Sequence, residues 1–204
     1  IVSKNIFINK VKKKSSQYLE EQTKSILFST EQILVIGGSP DLRRSYFNKL
    51  ISSYDYEYKR RVVNYESALR KRNKIFEIYQ NETKLKEELV FWNNYLEEQA
   101  AYIALKREEY IKYLNENKKI DSKEFEIEYV KNIFNKKHLE EVFNEEKRWR
   151  QTLVGPQKDD FKIYLNDGVN KKNIHFYGSR SEQRMGIFWL KINEVKYYEN
   201  KYKK

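Results

Sequence analysis

Leu85, Leu89, Trp92, Leu96, Gln99, Ile103, Lys106, Tyr110 and Tyr113 recur at alternating spacings of four and three residues. That period puts all nine on one face of a helix, with Gln99 and Lys106 as polar interruptions in an otherwise apolar seam. A helix over 82–117 follows. The preceding stretch 56–79 repeats the pattern, with Val62, Tyr65, Leu69, Phe76 and Tyr79 spaced by three, four or seven. The two helices are of similar length and are joined by a polar turn near 80–82, so they read as an antiparallel helical hairpin. Their outward faces are almost wholly charged, which favours a projecting arm over a helix pair buried in a bundle.

Outward from the hairpin, the pattern changes in both directions. Upstream, Ile6–Ile8 and Ile33–Ile36 are short β-branched runs and read as strands. Val11–Ser16 reads as a basic turn and Tyr18–Lys24 as a short helix. Ser39, Pro40 and Asp41 carry the marks of a helix start, so a helix is expected from Pro40 to about Ser52. Downstream, 117–123 is a polar linker. Phe125, Ile127 and Tyr129 alternate with Glu126 and Glu128 at the strand period. A further amphipathic helix covers 135–150. Phe161, Ile163 and Leu165 alternate again, Asn166-Asp167-Gly168 signals a turn, and Ile174–Tyr177 reads as a returning strand. From Ser179 the chain is helical, with Met185, Phe188, Trp189, Ile192 and Val195 on one face. The expected fold class is α+β and mostly helical, with small β elements and an inserted long hairpin. Its parts are 1–38 (strands and linker), 39–118 (helical arm) and 119–204 (strands and a final helix).

Composition narrows the chemistry. The 204 residues contain no cysteine and only two histidines, His138 and His175. A disulfide scaffold, a Cys-ligated zinc site and a thiol nucleophile are therefore excluded, and a His-based relay has little to draw on. No apolar run approaches the ~20 residues of a membrane span. A reducing cytoplasm is the expected compartment. The first residue is not Met, so the chain reads as beginning inside a longer protein. The formal net charge of +11 suits a polyanion, although a lysine-rich composition alone gives the same balance. The basic clusters are Lys12-Lys13-Lys14, Arg43-Arg44, Lys59-Arg60-Arg61 and Arg70-Lys71-Arg72. Each has two readings, a phosphate contact or a solvated helix face, and Arg43 and Arg44 also suit pairing with acids at a lobe junction.

No phosphate loop of the GxxxxGK[ST] type occurs, and no apolar strand ends in paired acids. Asp159-Asp160 is a carboxylate pair, but adjacent residues on a strand point to opposite faces, which argues against a shared acid–base dyad. Gly37-Gly38-Ser39 opens a helix and has the same two readings as any capped helix start. The sharper candidate is Gly178-Ser179-Arg180-Ser181-Glu182-Gln183-Arg184. Gly178 permits a tight turn, Ser179 caps the following helix, and the first helical amides face outward with the positive end of the dipole. Such a start is either an ordinary cap or a receptor for a terminal phosphate.

This segment is similar to the signature motif of ABC-type ATPases in its RecF version. The family pattern runs Ser-Arg/Gln-Gly-Gln-Gln-Arg, followed by a helix ending Leu-Lys-Leu-Ala-Glu, where this chain has Leu190-Lys191-Ile192-Asn193-Glu194. Further stretches resemble the family in the same order. They are Phe28-Ser29-Thr30-Glu31-Gln32, Gly38-Ser39-Pro40-Asp41-Leu42-Arg43-Arg44, the run from Asn64-Tyr65 to Asn73, and Leu153-Val154-Gly155-Pro156-Gln157-Lys158-Asp159-Asp160. Ser181 stands where the family has Gly, Gln157 and Lys158 where it has His and Arg, and Asn48 where it has Asp.

The resemblance implies an ATPase head lobe of the ABC/SMC-like class, with the phosphate loop and the magnesium-binding acids lying outside this stretch. It implies ATP and Mg as cofactors of the longer protein, and DNA as a largely sequence-independent partner. It also implies a second copy of the head in an ATP-dependent homodimer, RecR- and RecO-type repair proteins as further partners, and no membrane. Ser179, Arg180, Ser181, Glu182 and Gln183 would face a nucleotide held by the other head, with Ser179 donating to its γ-phosphate. The implied role is recombinational repair and replication restart, with this chain alone neither gripping ATP nor hydrolysing it. The competing readings are a non-enzymatic coiled-coil scaffold and another SMC-like ATPase.

Overall fold

The computed structural model describes residues 5–8, 10–13, 26–166, 168 and 170–202. Strands β1 (Ile6–Ile8) and β2 (Val11–Lys13) form a two-stranded antiparallel ribbon, so the described part of the expected basic turn, Val11–Lys13, is strand. The expected helix at 18–24 and Lys14 lie outside the described residues.

The stretch 33–36 is helical rather than a strand. A 3₁₀ turn, Thr30–Ile33, starts at Ser29, whose amide donates to the Gln32 side chain, and it runs into α1 (Leu34–Gly37). The burial pattern gives the reason. Ile36 is 1% exposed and Leu34 is 52% exposed, a split that two residues on one strand face cannot have. Burial of Ile36 overrides the β propensity of the run.

Helices α2 (Pro40–Ser52), α3 (Tyr56–Ile78) and α4 (Glu82–Glu116) follow with the expected boundaries. Asp55 accepts from the Tyr58 amide at 2.8 Å and Asn81 from the Lys84 amide at 3.1 Å, so both long helices begin on side-chain caps. Contacts between α3 and α4 run in opposite order along the two helices. Asp55 meets Tyr102, Arg61 meets Glu98 and Arg72 meets Asn93. Near the closed end, Ile75, Phe76, Leu85 and Leu89 form a separate small apolar cluster. The pair does not stand free. Helix α5 (Lys136–Trp149) lies against it, with Phe143 in that cluster and Lys147 paired to Glu82 at the first turn of α4. The seam of α4 is also turned slightly from expectation. Arg107 (3% exposed) is the buried cation, while Lys106 is only half-buried.

The sheet has the order β3 (Lys119–Ile120), β4 (Lys123–Val130), β5 (Asp160–Asn166) and β6 (Lys171–Asn173), all antiparallel. Phe125 pairs with Leu165, Ile127 with Ile163 and Tyr129 with Phe161. Directly opposed residues share a face, so this register makes one apolar side. The other side carries Glu126 and Glu128, paired with Lys118, Lys171 and Lys162. Helices close the apolar side. Phe47 of α2 sits 4.2 Å from Phe161, centroid to centroid, and Trp189 stacks on Phe125 at 5.5 Å.

After β6 the chain turns helical at once. Asn173 accepts from the His175 amide and starts α6 (Ile174–Tyr177), where the sequence pattern had pointed to a strand. Ile174 is fully buried and Phe176 is 70% exposed, again a helical split. The last helix, α7 (Arg180–Tyr202), buries Gln183, Gly186, Ile187, Trp189, Leu190 and Asn193. Phe188 and Val195 of the expected stripe are exposed, because α7 presents a neighbouring face to α1 and the sheet.

Candidate functional site

The signature stretch begins where α6 ends. A Cβ on Gly178 would lie 2.5 Å from the Ile174 carbonyl oxygen, so only glycine allows the chain to double back here. Ser179 and Glu182 then form a reciprocal cap. The Ser179 hydroxyl accepts the Glu182 amide at 3.3 Å, and the Glu182 carboxylate accepts the Ser179 amide at 2.8 Å. Ser181 Oγ lies 3.0 Å from Ser179 Oγ. The Gln183 amide donates to the Ser179 carbonyl, closing the first helical turn.

Packing holds this turn rigidly. The Gln183 side chain is buried and donates to the Ile174 carbonyl at 2.9 Å. His175 Nδ1 lies 2.7 Å from the Ile36 carbonyl oxygen, tying α6 to α1. Gly186 lets α7 approach so closely that a Cβ would sit 2.7 Å from both Ile174 and Ile36. Lys172 reaches from β6 to Glu182 at 2.8 Å. Lys172, the Ser179 amide and the Ser179 hydroxyl together hold the Glu182 carboxyl below its ordinary range.

The five expected residues therefore divide. Ser179, Arg180 and Ser181 are exposed at the helix start, and the Arg180 side chain makes no hydrogen bond or ion pair among the described residues. Glu182 is a cap and an ion-pair partner. Gln183 is a core residue, and its amide is already used within the helix. Of the amides expected to face an anion, Ser181's precedes the first helical bond, and Arg180's does so as well. A hydroxyl and two amides suit the edge of a phosphate, though not a full grip on a nucleotide. Among the described residues no cluster of carboxylates and histidines could hold a metal ion.

The basic clusters divide in the same way. Arg43 is 5% exposed and donates to both Asp160 oxygens, as well as to the Ile36 and Gly38 carbonyls. Arg72 is 1% exposed and reaches Asn93, Thr152 and Glu146. Neither can meet a DNA phosphate, because each guanidinium is spent on buried partners. Arg44 is largely covered and bonds Asp41 and the Asp159 carbonyl. Arg61 is paired with Glu57 and Glu98, and Arg60 with Glu57. Hydrogen bonds from Arg60 and then Arg61 bring the Glu57 carboxyl down to about 2. Lys12, Lys59, Arg70 and Lys71 remain exposed, with the Lys71 ammonium 5.1 Å from the Trp92 ring centroid.

A second polar centre joins the lobe internally. Asp159 accepts from Arg107, from the Tyr129 hydroxyl and from the Asn132 amide, while Arg107 also donates to Asn48 and the Pro156 carbonyl. Burial pushes the Asp159 carboxyl up, against the opposing pull of Arg107 and of its hydrogen bonds. Burial also acts to raise Asp160, but the Arg43 hydrogen bonds, the Phe161 amide and the charges of Arg43 and Arg44 outweigh it and hold that carboxyl low. The two adjacent carboxylates have separate partners, in keeping with opposite strand faces. Arg107 was not singled out in the sequence. The available signal was a cation at 107 in step with Ile103, Tyr110 and Leu114.

No protein-family model matches the chain. The curated DNA replication and repair protein RecF of Natranaerobius thermophilus is 30% identical over 220 residues, covering 95% of this chain and 55% of its own length. RecF of Thermoanaerobacter sp. (strain X514) is 30% identical over 210 residues, covering 94% of this chain and 57% of its own. RecF of Clostridium perfringens (strain SM101) is 29% identical over 208 residues, with 95% and 56% covered. The chain thus spans about half the length of the curated relatives it matches. Among solved structures, the recombination mediator protein RecF with ATP in the RecFOR pathway superposes with a TM-score of 0.83 at 25% identity, covering 98% of this chain and 57% of that one. The same protein as RecF-ATPrS gives a TM-score of 0.84 at 24% identity, covering 99% and 58%. In sequence along 95% of its length, and in fold, the chain belongs with the RecF proteins.

Proposed function

We propose that this chain is the signature-bearing lobe of a RecF-type, ATP-dependent DNA repair protein, and that it presents Ser179 to the terminal phosphate of a nucleotide held by a second head. One observation carries the reading. The Ser179 hydroxyl stands exposed on a helix start that α1, α6 and β6 clamp from behind. Preorganised donors of this kind act where charge develops on a transferring phosphoryl group. ATP supplies the phosphate; the residues here meet only its outer edge, through Ser179 Oγ and the amides of Arg180 and Ser181. Magnesium would be held elsewhere in the longer protein.

The α3–α4 pair, braced by α5, serves as the arm of this lobe. DNA contact falls to the cations of the basic clusters that stay exposed and, among the described residues, without a carboxylate partner, namely Lys12, Lys59, Arg70 and Lys71. Such contacts go to phosphates and weaken steeply with salt. RecO- and RecR-type proteins are the natural partners, since the similar RecF structures belong to the RecFOR pathway. A plain coiled-coil scaffold leaves the clamped signature turn without a purpose.

The test is nucleotide-dependent association. By calorimetry the chain alone should show no micromolar ATP affinity. In analytical ultracentrifugation it should associate with an intact RecF-type head in the presence of ATP, and Ser179→Arg should abolish that association. Association that is indifferent to ATP, or to the arginine, would sink the reading.

A further inference from the structure

Helix α5 ends in Lys147, Arg148 and Trp149, with Arg150 following. Its inward stripe runs through Leu139, Val142 and Glu146, and Trp149 is the next residue in step. Unlike those three it is left mostly in water, with Trp149 65% exposed. The other two tryptophans differ: Trp189 is fully buried and Trp92 is half-buried beneath Lys71. One cation lies against the exposed indole and another follows it in the chain. The Arg148 guanidinium lies 5.5 Å from its ring centroid. Arg150 follows in the left-handed region at φ 51°, a conformation in which a side chain is disfavoured.

These two exposed arginines differ from the chain's buried and half-buried ones. Arg43, Arg61, Arg72 and Arg107 all pair with carboxylates. Among the described residues neither Arg148 nor Arg150 has a carboxylate at ion-pair distance, though the charge of Arg150 acts on Glu77 and helps to lower that carboxyl. Cations at a helix C-terminus offset the dipole, which accounts for Lys147 and Arg148. It does not account for an indole left in water beside them.

We propose that Trp149, Arg148 and Arg150 form a contact for single-stranded nucleic acid, with a base stacked on the open indole face and the neighbouring phosphates on the two arginines. Stacking on an aromatic ring within a cationic track is how such strands are held without sequence preference. A protein partner fits less well. Protein hot spots sit in well-packed, desolvated pockets, and here Trp149 stands out on the surface with the exposed Lys147, Arg148, Arg150 and Gln151 beside it in the chain. The inference rests on the DNA-binding part of the proposed function and adds a site to it.

The experiment is a fluorescence titration of the whole chain with a short oligothymidylate, at low and at physiological salt. With Trp189 buried and Trp92 half-covered, quenching reads mainly Trp149. Saturable quenching that weakens with salt is expected. Trp149→Ala should lower the affinity, read by anisotropy of a labelled oligothymidylate, by roughly five- to a hundredfold. Arg150→Gly removes the disfavoured backbone and should keep the fold intact, while flattening the salt dependence by about one phosphate contact. Binding without quenching, with Trp149→Ala at full affinity, overturns this site and leaves DNA binding by the chain standing. No oligothymidylate binding at all overturns both. Quenching by polyglutamate equal to that by oligothymidylate overturns the base-stacking contact in favour of an acidic protein partner.

Discussion

Replacing Arg72 with methionine should destabilise the fold by about 3–5 kcal/mol, the range found when one partner of a buried ion pair is removed. The side chains of Arg72 and Glu146 are 1% and 0% exposed and meet at 2.7 Å. Methionine keeps much of the volume but leaves Glu146 a desolvated carboxylate, with the Leu153 amide at 2.8 Å as its remaining donor. Asn93 and Thr152 each lose a hydrogen bond from the guanidinium, and the rings of Phe76 and Phe134 lose a cation 5.1 and 5.9 Å away. With a urea slope of about 2 kcal/mol per molar, the denaturation midpoint should fall by roughly 1.5–2.5 M. Adding Glu146→Leu should recover much of the loss, since an apolar pair of similar size replaces a buried ionic one at little cost. A loss below about 1 kcal/mol, the range of exposed pairs, would refute the reasoning. Arg72 would then be a surface cation after all and would return to the set of possible DNA contacts.

Two further outcomes follow from particular contacts. Gly178→Ala places a Cβ against the Ile174 carbonyl and should cost about 1–3 kcal/mol, seen as faster amide exchange in α6 and the first turn of α7; unchanged exchange would contradict the close approach. Asp160 has a depressed folded pKa, so its stabilisation is complete above the ordinary carboxylate value near ~3.9 and is lost as pH falls through the lower folded value. Asp159 has the opposite sign: its raised folded pKa favours folding below the unfolded value, and that contribution is lost as pH rises through the folded one. Arg43→Met should therefore flatten the loss of stability on the acid side of about pH 4, and an unchanged profile from equilibrium unfolding would count against the Arg43–Asp160 pair.

Much of the architecture was legible along the chain. The seams of α3 and α4, the Ser39-Pro40 start and the strand alternation of β4 and β5 are local signals, set by a period or a single side chain. The signature stretch was legible too, because Gly178 and the Ser179–Glu182 cap use residues within a few positions of one another. Two short apolar stretches differ from the strand reading. At 33–36 and 174–177 the propensity is weak, and what decides is which single residue, Ile36 or Ile174, must reach the core.

By itself, then, the sequence determined the long helices, their ends, the alternating strands and the presence of a capped signature turn, since each depends on neighbours within one or two turns. Only the tertiary structure decided which charges are surface and which are structure. Arg72 and Glu146 are 74 residues apart, Arg107 and Asp159 are 52 apart, and Arg43 and Asp160 are 117 apart. A basic cluster looks the same in sequence whether its arginine faces water or a buried carboxylate. The difference is made by a distant partner that offsets the cost of desolvation, and no local pattern encodes that partner.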